Sequence, residues 1–419
     1  MLRHQFTLKL EKAEEISPII ERIGFVVEML DAEHLLSALD GERGVHGRNE
    51  YPNRVLWHCL VAFGCLGVRT VTEGLRHLEL SEALRQLCGI TSRGELPSKH
   101  SCYRFERRLG EHLDLLEEMF AELVRKLCGK LPGFAERLAT DSTKVHSLCN
   151  GKKPTADEDA SWKKYEHSYT DEQGQTKKSV VKWFGYKLHL LVDAVYELPV
   201  AFLLTTAKDN DAPHFAKLWN RGKENLPDLA DRAKSNANDK GYDEESTHQV
   251  SWQDGVEPIV AIRKMTREEN QVLLPEKQQV CADNRPLRFD GYESARKALR
   301  YDRPKGCPKV TGKGYCAMAL HCSQRLTRVK LDERNLRHLG PVPRDTKKFV
   351  RLYKGRTAVE RVNARLKDRW GLDCVRRRGQ KRVKVWAILA LLCMNAFAFT
   401  MAQQGRISEV RKTVYSIAA

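Results

Sequence analysis

Tyr353, Arg356, Glu360 and Lys367 stand three, four and seven residues apart in the stretch YKGRTAVERVNARLK. On a helix that turns about 100° per residue they share one stripe about 60° wide. A carboxylate flanked by cations has two plain uses. It can form an i,i+4 ion pair, here with Arg356, on a solvated face. Alternatively the cations take phosphates and the carboxylate holds a metal against them; hard oxygen ligands suit Mg2+ or Mn2+. Gly355 leaves the first helical turn open, so Tyr353 stands at its start or just before it.

A metal used in that way needs further carboxylates, and two upstream segments offer them. LATDSTKV reads as a short strand running into Asp141, and RAKSNANDKGY as a polar strand ending at Asp239. Between them, YKLHLLVDAV and LPVAFLLTT read as strands joined by a tight turn. DAPHFAKLWNRGKENL follows as a helix, with Asp211 as N-cap and Pro213 in its first turn. EESTHQVSWQDG reads as a short helix and EPIVAIR as another strand. If the first three strands pair as a meander, the fourth lies parallel beside the first, and the helix supplies the long connection. Asp141 and Asp239 then occupy the same ends of neighbouring strands roughly 4.8 Å apart. Carboxylates so placed can share two metal ions about 3.5–4 Å apart. Asp193 falls at the strand turn. Asp209 and Asp211 fall at a helix start, where capping is the commoner task, so Asp239 is preferred over them as the second ligand.

Around these segments the pattern sorts the chain into an α/β core with helical and irregular additions. Residues 1–130 read as an N-terminal helical region. Within it, TVTEGLRHLELSEALRQLCGI and LPSKHSCYRFERRL form a helix-turn-helix-like unit, basic at Lys99, Arg104, Arg107 and Arg108. Residues 131–263 carry the first part of the core, with a polar, lysine-rich loop over 146–182. Residues 264–345 are an insertion holding four cysteines. Residues 346–405 carry a basic helix, a basic loop and an apolar C-terminal helix, and 406–419 form a tail.

The 419 residues include 72 Lys and Arg against 55 Asp and Glu, a formal charge of +17. The charge is uneven. Residues 1–50 have six basic and ten acidic side chains, whereas 351–384 have thirteen basic and three acidic. Concentrated positive charge of that kind calls for a polyanionic partner, nucleic acid above all. Arg376, Arg377, Arg378, Lys381 and Arg382 extend the basic track beyond Lys367. The uncharged run Val385–Ala402 is borderline in length for a membrane span, but its Asn395, Cys393 and alanines read better as a buried helix. Twelve cysteines, mostly without paired spacing, and no signal-peptide pattern suggest reduced thiols inside a cell.

The spacing Tyr353-x2-Arg356-x3-Glu360-x6-Lys367 resembles the Y-R-E-K signature of DDE transposases of the bacterial insertion-sequence class called the IS4-like group. ATDSTKVH resembles the segment with the first catalytic Asp, here Asp141, and NDKGYDEE the D-x-G-Y segment with the second, here Asp239. Asp239 follows Asp141 by 98 residues and Glu360 follows Asp239 by 121. The likeness covers about residues 50 to 403. It implies an RNase H-like (retroviral integrase-like) catalytic core, an N-terminal helical DNA-binding domain and an insertion before the last acid. It also implies two Mg2+ or Mn2+ ions held by Asp141, Asp239 and Glu360. Double-stranded DNA is the implied partner, as element-terminal inverted repeats and as target, with Tyr353, Arg356, Lys367 and the following basic residues contacting it. The synaptic complex would be a homodimer, cytoplasmic and without membrane attachment. One departure is AKSNAN before Asp239, where such transposases more often carry apolar residues, as a central strand should.

Cys281, Cys307, Cys316 and Cys322, with His321 beside the last, lie between the second and third acids. They lack a C-x2-C pair, so both readings stay open: spare buried thiols, or a structural zinc. Three rival functions share the remaining features: a nuclease of the same fold that does not join strands, a non-catalytic repressor descended from a transposase, and a membrane-attached basic protein.

Overall fold

The computed structural model describes residues 18–30, 32–42, 51–152, 157–170, 174–263, 281–318, 322, 326–331, 336–337 and 340–412; His321 lies outside them. Helices α1 (Pro18–Met29), α2 (Glu33–Gly41), α3 (Asn53–Leu66), α4 (Val71–Leu80), α5 (Glu82–Leu87), α6 (Lys99–Leu109) and α7 (Leu113–Lys130) come first. Strands β1 (Arg137–His146), β2 (Ser161–Thr170), β3 (Thr176–Asp193) and β4 (Leu198–Thr206) follow. Next are α8 (Phe215–Asn225), α9 (Leu229–Arg232), β5 (Ser235–Asn238), α10 (Glu245–Gln253) and β6 (Glu257–Val260). The insertion supplies β7 (Arg288–Glu293), β8 (Ala298–Asp302), α11 (Pro308–Thr311) and β9 (Leu326–Lys330). Last come α12 (Lys347–Tyr353), α13 (Thr357–Trp370) and α14 (Gln380–Gln403). The chain divides into two compact units, one running from Val124 to Arg365 and the other gathering the residues before and after it.

In the latter unit α14 is apolar on every side from Val385 onward, and Val385 through Met401 are buried. A helix hydrophobic all round belongs inside a core, and α14 packs against α1, α3 and α6. It is long and apolar enough to cross a membrane, yet 94% of its most apolar window is buried in protein. The C-terminal helix, grouped in the sequence with the catalytic core, therefore packs with the N-terminal helices. Thr70, Ser81 and Ser98 accept backbone N–H bonds as N-caps of α4, α5 and α6, which fixes where those short helices begin. Gly67 ends α3 at φ 63, and a Cβ there would lie 2.0 Å from the Arg369 carbonyl oxygen, so only glycine fits.

The larger sheet of the other unit runs β2-β3-β1-β5-β6, with β4 also on β3. β1, β3 and β4 pair antiparallel, while β1, β5 and β6 pair parallel, with α8 and α9 crossing from β4 to β5. The meander with a parallel fourth strand is thus as the sequence suggests. Two differences stand out. β1 does not stop at Asp141 but continues to His146. Much of the 146–182 stretch, expected as a loop, is a two-stranded arm: β2 pairs with the outer half of β3, from Ser161 opposite Gly185 to Thr170 opposite Thr176. Its lysines hide the strand signal, but Trp162, Tyr165, Val180, Val181 and Trp183 supply the aromatic and β-branched content that strands favour. Gly185 joins arm to sheet at φ 150, and a Cβ there would meet the Val145 carbonyl oxygen at 2.2 Å.

β5 is buried at all four positions despite its polarity. The Thr140 hydroxyl donates to Asn236 Oδ1 at 3.1 Å, which satisfies part of that strand. Over the sheet, Phe349 of α12 joins Ala237, Ile259 and Val342 in one cluster, with Leu352 and Tyr353 packed against it. A single 3-10 turn around Gly355, Lys354–Arg356, separates α12 from α13, so Tyr353 stands just before α13. In the insertion, β7, β8 and β9 form a small antiparallel sheet over Leu287, Leu299, Tyr301, Leu331 and Leu336.

Candidate active site

β1 carries the first acid. Asp141 is half-buried on the sheet, and its Oδ1 accepts the Ser142 N–H at 2.7 Å. Burial pushes its carboxyl up to about 7; the Ser142 bond opposes the rise, and the charges of Asp239 and Asp211 add to it. The parallel register sets Thr140 opposite Asn238, so the next residue of each strand, Asp141 and Asp239, are neighbours. Asp239 leaves β5 into a tight 3-10 turn, and its Oδ2 accepts the Gly241 N–H at 3.2 Å.

Glu360 arrives from the first turn of α13. Two features hold that turn. Phe349 stacks on Tyr353 with ring centroids 5.6 Å apart. Glu197, in the β3–β4 turn, accepts Arg361 Nε at 2.7 Å and, through its carbonyl, Arg365 Nη2 at 2.6 Å. Arg356 then links the second and third acids: its Nη1 lies 2.6 Å from Glu360 Oε1 and 3.4 Å from Asp239 Oδ1. Its guanidinium also lies over the Tyr353 ring, 5.5 Å from the centroid. Of the two sequence readings of Glu360, the ion pair is the one seen directly. The i,i+4 pair exists, and the same cation draws Glu360 to Asp239.

Among the described residues, no three His, Cys, Asp or Glu side chains stand together as a ready ligand set for a metal. The donor chemistry nonetheless suits a hard divalent cation. One carboxyl is pushed toward its neutral form by burial, with neighbouring negative charge adding to it, and two others converge on a cation that a metal would have to displace.

A fourth carboxylate, Asp211, which the sequence assigns to helix capping, lies next to this group. Asp211 does not cap α8: no side-chain capping bond is present, and a 3-10 turn, Ala212–His214, intervenes. Its Oδ1 instead accepts Ser142 Oγ at 2.9 Å and Lys187 Nζ at 2.8 Å. Burial would raise Asp211, but the Lys187 bond and charge, with His189 and Ser142, hold it below the usual carboxylate range. His189 is buried, bonds Tyr242 Oη and Thr205 Oγ1 at 3.0 Å each, and is depressed to about 4 by that burial. The signal was legible in YKLHLLVD: Lys187 and His189 are polar residues two apart on one face of an otherwise buried strand.

The remaining basic residues belong to the unit containing α14. Arg376 and Arg378 are exposed, and Lys367 is half-buried. Lys381 pairs with Glu111 at 2.6 Å. Arg382 approaches Glu106 at 3.8 Å and lies over the Tyr103 ring. Arg377 corrects the sequence reading. It is buried, donates to both Glu106 carboxylate oxygens at 2.8 Å, and stacks on Trp386 at 4.4 Å, so its guanidinium is committed inside the fold and has none left for a phosphate. In the helix-turn-helix-like segment, Arg104 and Arg107 are exposed, while Arg108 bonds Asn53 Oδ1 at 3.2 Å and the Leu39 carbonyl.

A family model described as a transposase DDE domain matches residues 132–396, a span that includes Asp141, Asp239 and Glu360. No curated protein matches the chain.

Proposed function

The chain belongs to the DDE-domain transposases, and we propose that it cuts DNA at the ends of its mobile element and joins the freed 3′-OH to target DNA. The observation that carries this reading is the single guanidinium shared by Asp239 and Glu360, beside a strand register that adjoins Asp239 to Asp141. An RNase H-like core of the IS4-like kind is supported by the strand order, a meander followed by two parallel strands. Asp141, Asp239 and Glu360 would hold two Mg2+ or Mn2+ ions, which when bound supply Lewis acidity for an in-line displacement at phosphorus.

The chain's own residues do the rest. Asp141 would hold a cation only as the carboxylate, so its proton would have to leave first. Ser142 N–H and Gly241 N–H fix the orientation of Asp141 and Asp239. Arg356, freed from the two acids, turns to a DNA phosphate, for which a planar guanidinium is well shaped. Tyr353, packed on Phe349, offers its edge to the DNA end and forms no covalent link. Lys367, Arg376, Arg378, Lys381 and Arg382 are the proposed further phosphate contacts. Pairing two ends requires two copies of the chain, so the working form is proposed to be a homodimer on DNA in the cytoplasm.

Arg356→Ala tests the shared cation directly. In the absence of DNA, the variant is expected to bind Mn2+ about two- to fivefold more tightly than the parent, since a partly exposed pair contributes up to ~1 kcal/mol. Affinity for element ends should fall. Titration calorimetry with Mn2+ reads the first effect, and unchanged or weaker binding would remove Arg356 as the competing cation.

The β2–β3 arm is proposed to guide DNA toward the acids. On β3, residues 190, 188, 186, 184, 182 and 180 alternate onto the face that Asp141, paired with Leu190, shares. In the arm that face presents exposed Trp162 and Val180 and the directly opposed Lys164 and Lys182. Like charges directly opposite destabilise a sheet, whereas a phosphate between them reverses the sign. Lys164→Ala with Lys182→Ala should lower the salt dependence of DNA binding by about two units of slope. A slope equal to the parent's would exclude the arm from the path.

The nearest alternative is a nuclease that does not join strands. Incubation of the protein with pre-cut element ends and a circular target separates the two readings, because only a transposase gives joined product.

A further inference from the structure

All four cysteines between the second and third acids line one small cavity of about 20 Å³. They reach it from separate places in the insertion. Cys281 opens a tight turn: its N–H donates to the Arg285 carbonyl and its own carbonyl accepts the Asn284 N–H, both at 2.9 Å. Asn284 sits at φ 52, which asparagine tolerates well. Cys307 immediately precedes α11, and its carbonyl accepts the Val310 and Thr311 N–H groups at 2.8 and 2.9 Å. Cys316 follows α11 in the chain. Cys322 lies before β9, and its carbonyl accepts Lys309 Nζ at 2.6 Å. None of the four is in a disulfide.

Three physical arguments bear on what the cavity holds. A space of about 20 Å³ admits one guest the size of a water molecule. Four thiolates around one small ion are the ligand set of a closed structural zinc site. Such a site carries two net negative charges, and Arg285 and Arg303 line the same cavity. Arg285 lies beside Cys316 and also pairs with Asp283 at 3.1 Å; a cation next to a thiol favours the thiolate. The surrounding fold needs such a staple. Among the described residues, the sheet of β7, β8 and β9 covers a core of five buried side chains with partly buried ones packed against it, and cores of that size seldom hold a unit together alone.

We propose that Cys281, Cys307, Cys316 and Cys322 form a structural zinc site that fastens the insertion between the second and third acids. The thiols are not at ligand spacing beforehand among the described residues, so they would close on the ion as it binds, and the binding would add to the stability of the insertion. The proposal does not depend on the catalytic acids, which carry oxygen donors and prefer harder ions.

The test uses the full chain, purified with reductant and dialysed against excess Mg2+ to clear zinc from carboxylates. Mass spectrometry of metals should find about one zinc per chain, and Cys281→Ser or Cys316→Ser should each reduce it to under a quarter. Exchange of the unaltered chain with Co2+ should give the tetrahedral ligand-field bands and thiolate charge transfer of a sulfur site, a readout that survives should the variants misfold. Less than a quarter of a zinc in the folded parent would overturn the proposal. So would undiminished zinc in folded cysteine variants, an octahedral cobalt spectrum, or a titration under denaturing conditions that finds eight thiols rather than the twelve of the sequence, which would indicate two disulfides.

Discussion

Asp141→Ala, Asp239→Ala and Glu360→Ala should each lower Mg2+-dependent strand cleavage by about 10³-fold or more, while binding to element ends stays within a few-fold of the parent. The size follows from the several kcal/mol that metal chemistry contributes, at 1.36 kcal/mol for each factor of ten. Asp211→Ala is the informative contrast. Its carboxylate is already bonded to Lys187 and Ser142, so it should cost less in cleavage than any of the three, and a loss as large as theirs would make it a ligand. Asp141 adds a pH signature. Burial pushes its carboxyl up to about 7, so below that pH it must release a proton to take a cation, and Mn2+ affinity should rise as pH is raised through 7. The sign for stability is opposite. With no cation bound, an acid whose folded value is raised favours the fold while it is neutral, and that contribution is lost as pH climbs toward 7. Asp141→Asn should flatten both dependences. Full cleavage activity in any one of the three alanine variants would remove that residue from the mechanism.

The positions of the three proposed acids in the fold were legible where each is tied to a local pattern that survives folding. Asp141 lies within β1 and Asp239 follows β5; the order of the strands permits one simple pairing, and the register of β1 with β5 is what that order requires. Glu360 was legible as a charge anomaly, and its link to Asp239 through Arg356 is a contact that no spacing rule encodes. Asp211 was read as a cap because an Asp at a helix start, two residues before a proline, normally caps, and only the sheet reveals that Lys187 and Ser142 claim it first. The β2–β3 arm was missed because two strands outside any core need no apolar alternation, so lysines and aromatics share both faces. The uniform stripe from Tyr353 to Lys367 was too regular. The 3-10 turn at Lys354–Arg356 resets the phase of α13, and the grouping of Tyr353, Arg356 and Glu360 rests on packing over β5 and β6 instead. α14 looked like part of the core because it follows the last acid in sequence. An all-apolar helix goes wherever the most apolar partners are, and α1 and α3 provide them.

Arg377 shows how charge alone misleads, and its replacement should have the largest effect on folding. In RRR at 376–378 the three side chains are indistinguishable by composition. The structure leaves the outer two in solvent and buries the middle one against Glu106, with relative side-chain exposures of 1% and 2% for the pair. Two parallel bonds of 2.8 Å and the Trp386 face complete its surroundings. Removing one partner of a buried pair strands the other charge, at a cost of about 3–5 kcal/mol. Glu106→Ala strands two cations, Arg377 and, at 3.8 Å, Arg382. It should lower the melting temperature by ~10 °C or more for a unit of this size. Arg377→Ala should fall by a comparable amount, whereas Arg376→Ala should leave the melting temperature unchanged and weaken DNA binding. The double replacement Glu106→Leu with Arg377→Met removes both charges together and should be less destabilising than either single alanine. Thermal unfolding of the four variants, beside the salt dependence of their DNA binding, separates the two roles of arginine. If Arg377→Ala melted with the parent and lost DNA affinity as Arg376→Ala does, Arg377 would be a phosphate contact after all, and the buried pair with Glu106 would not exist in solution.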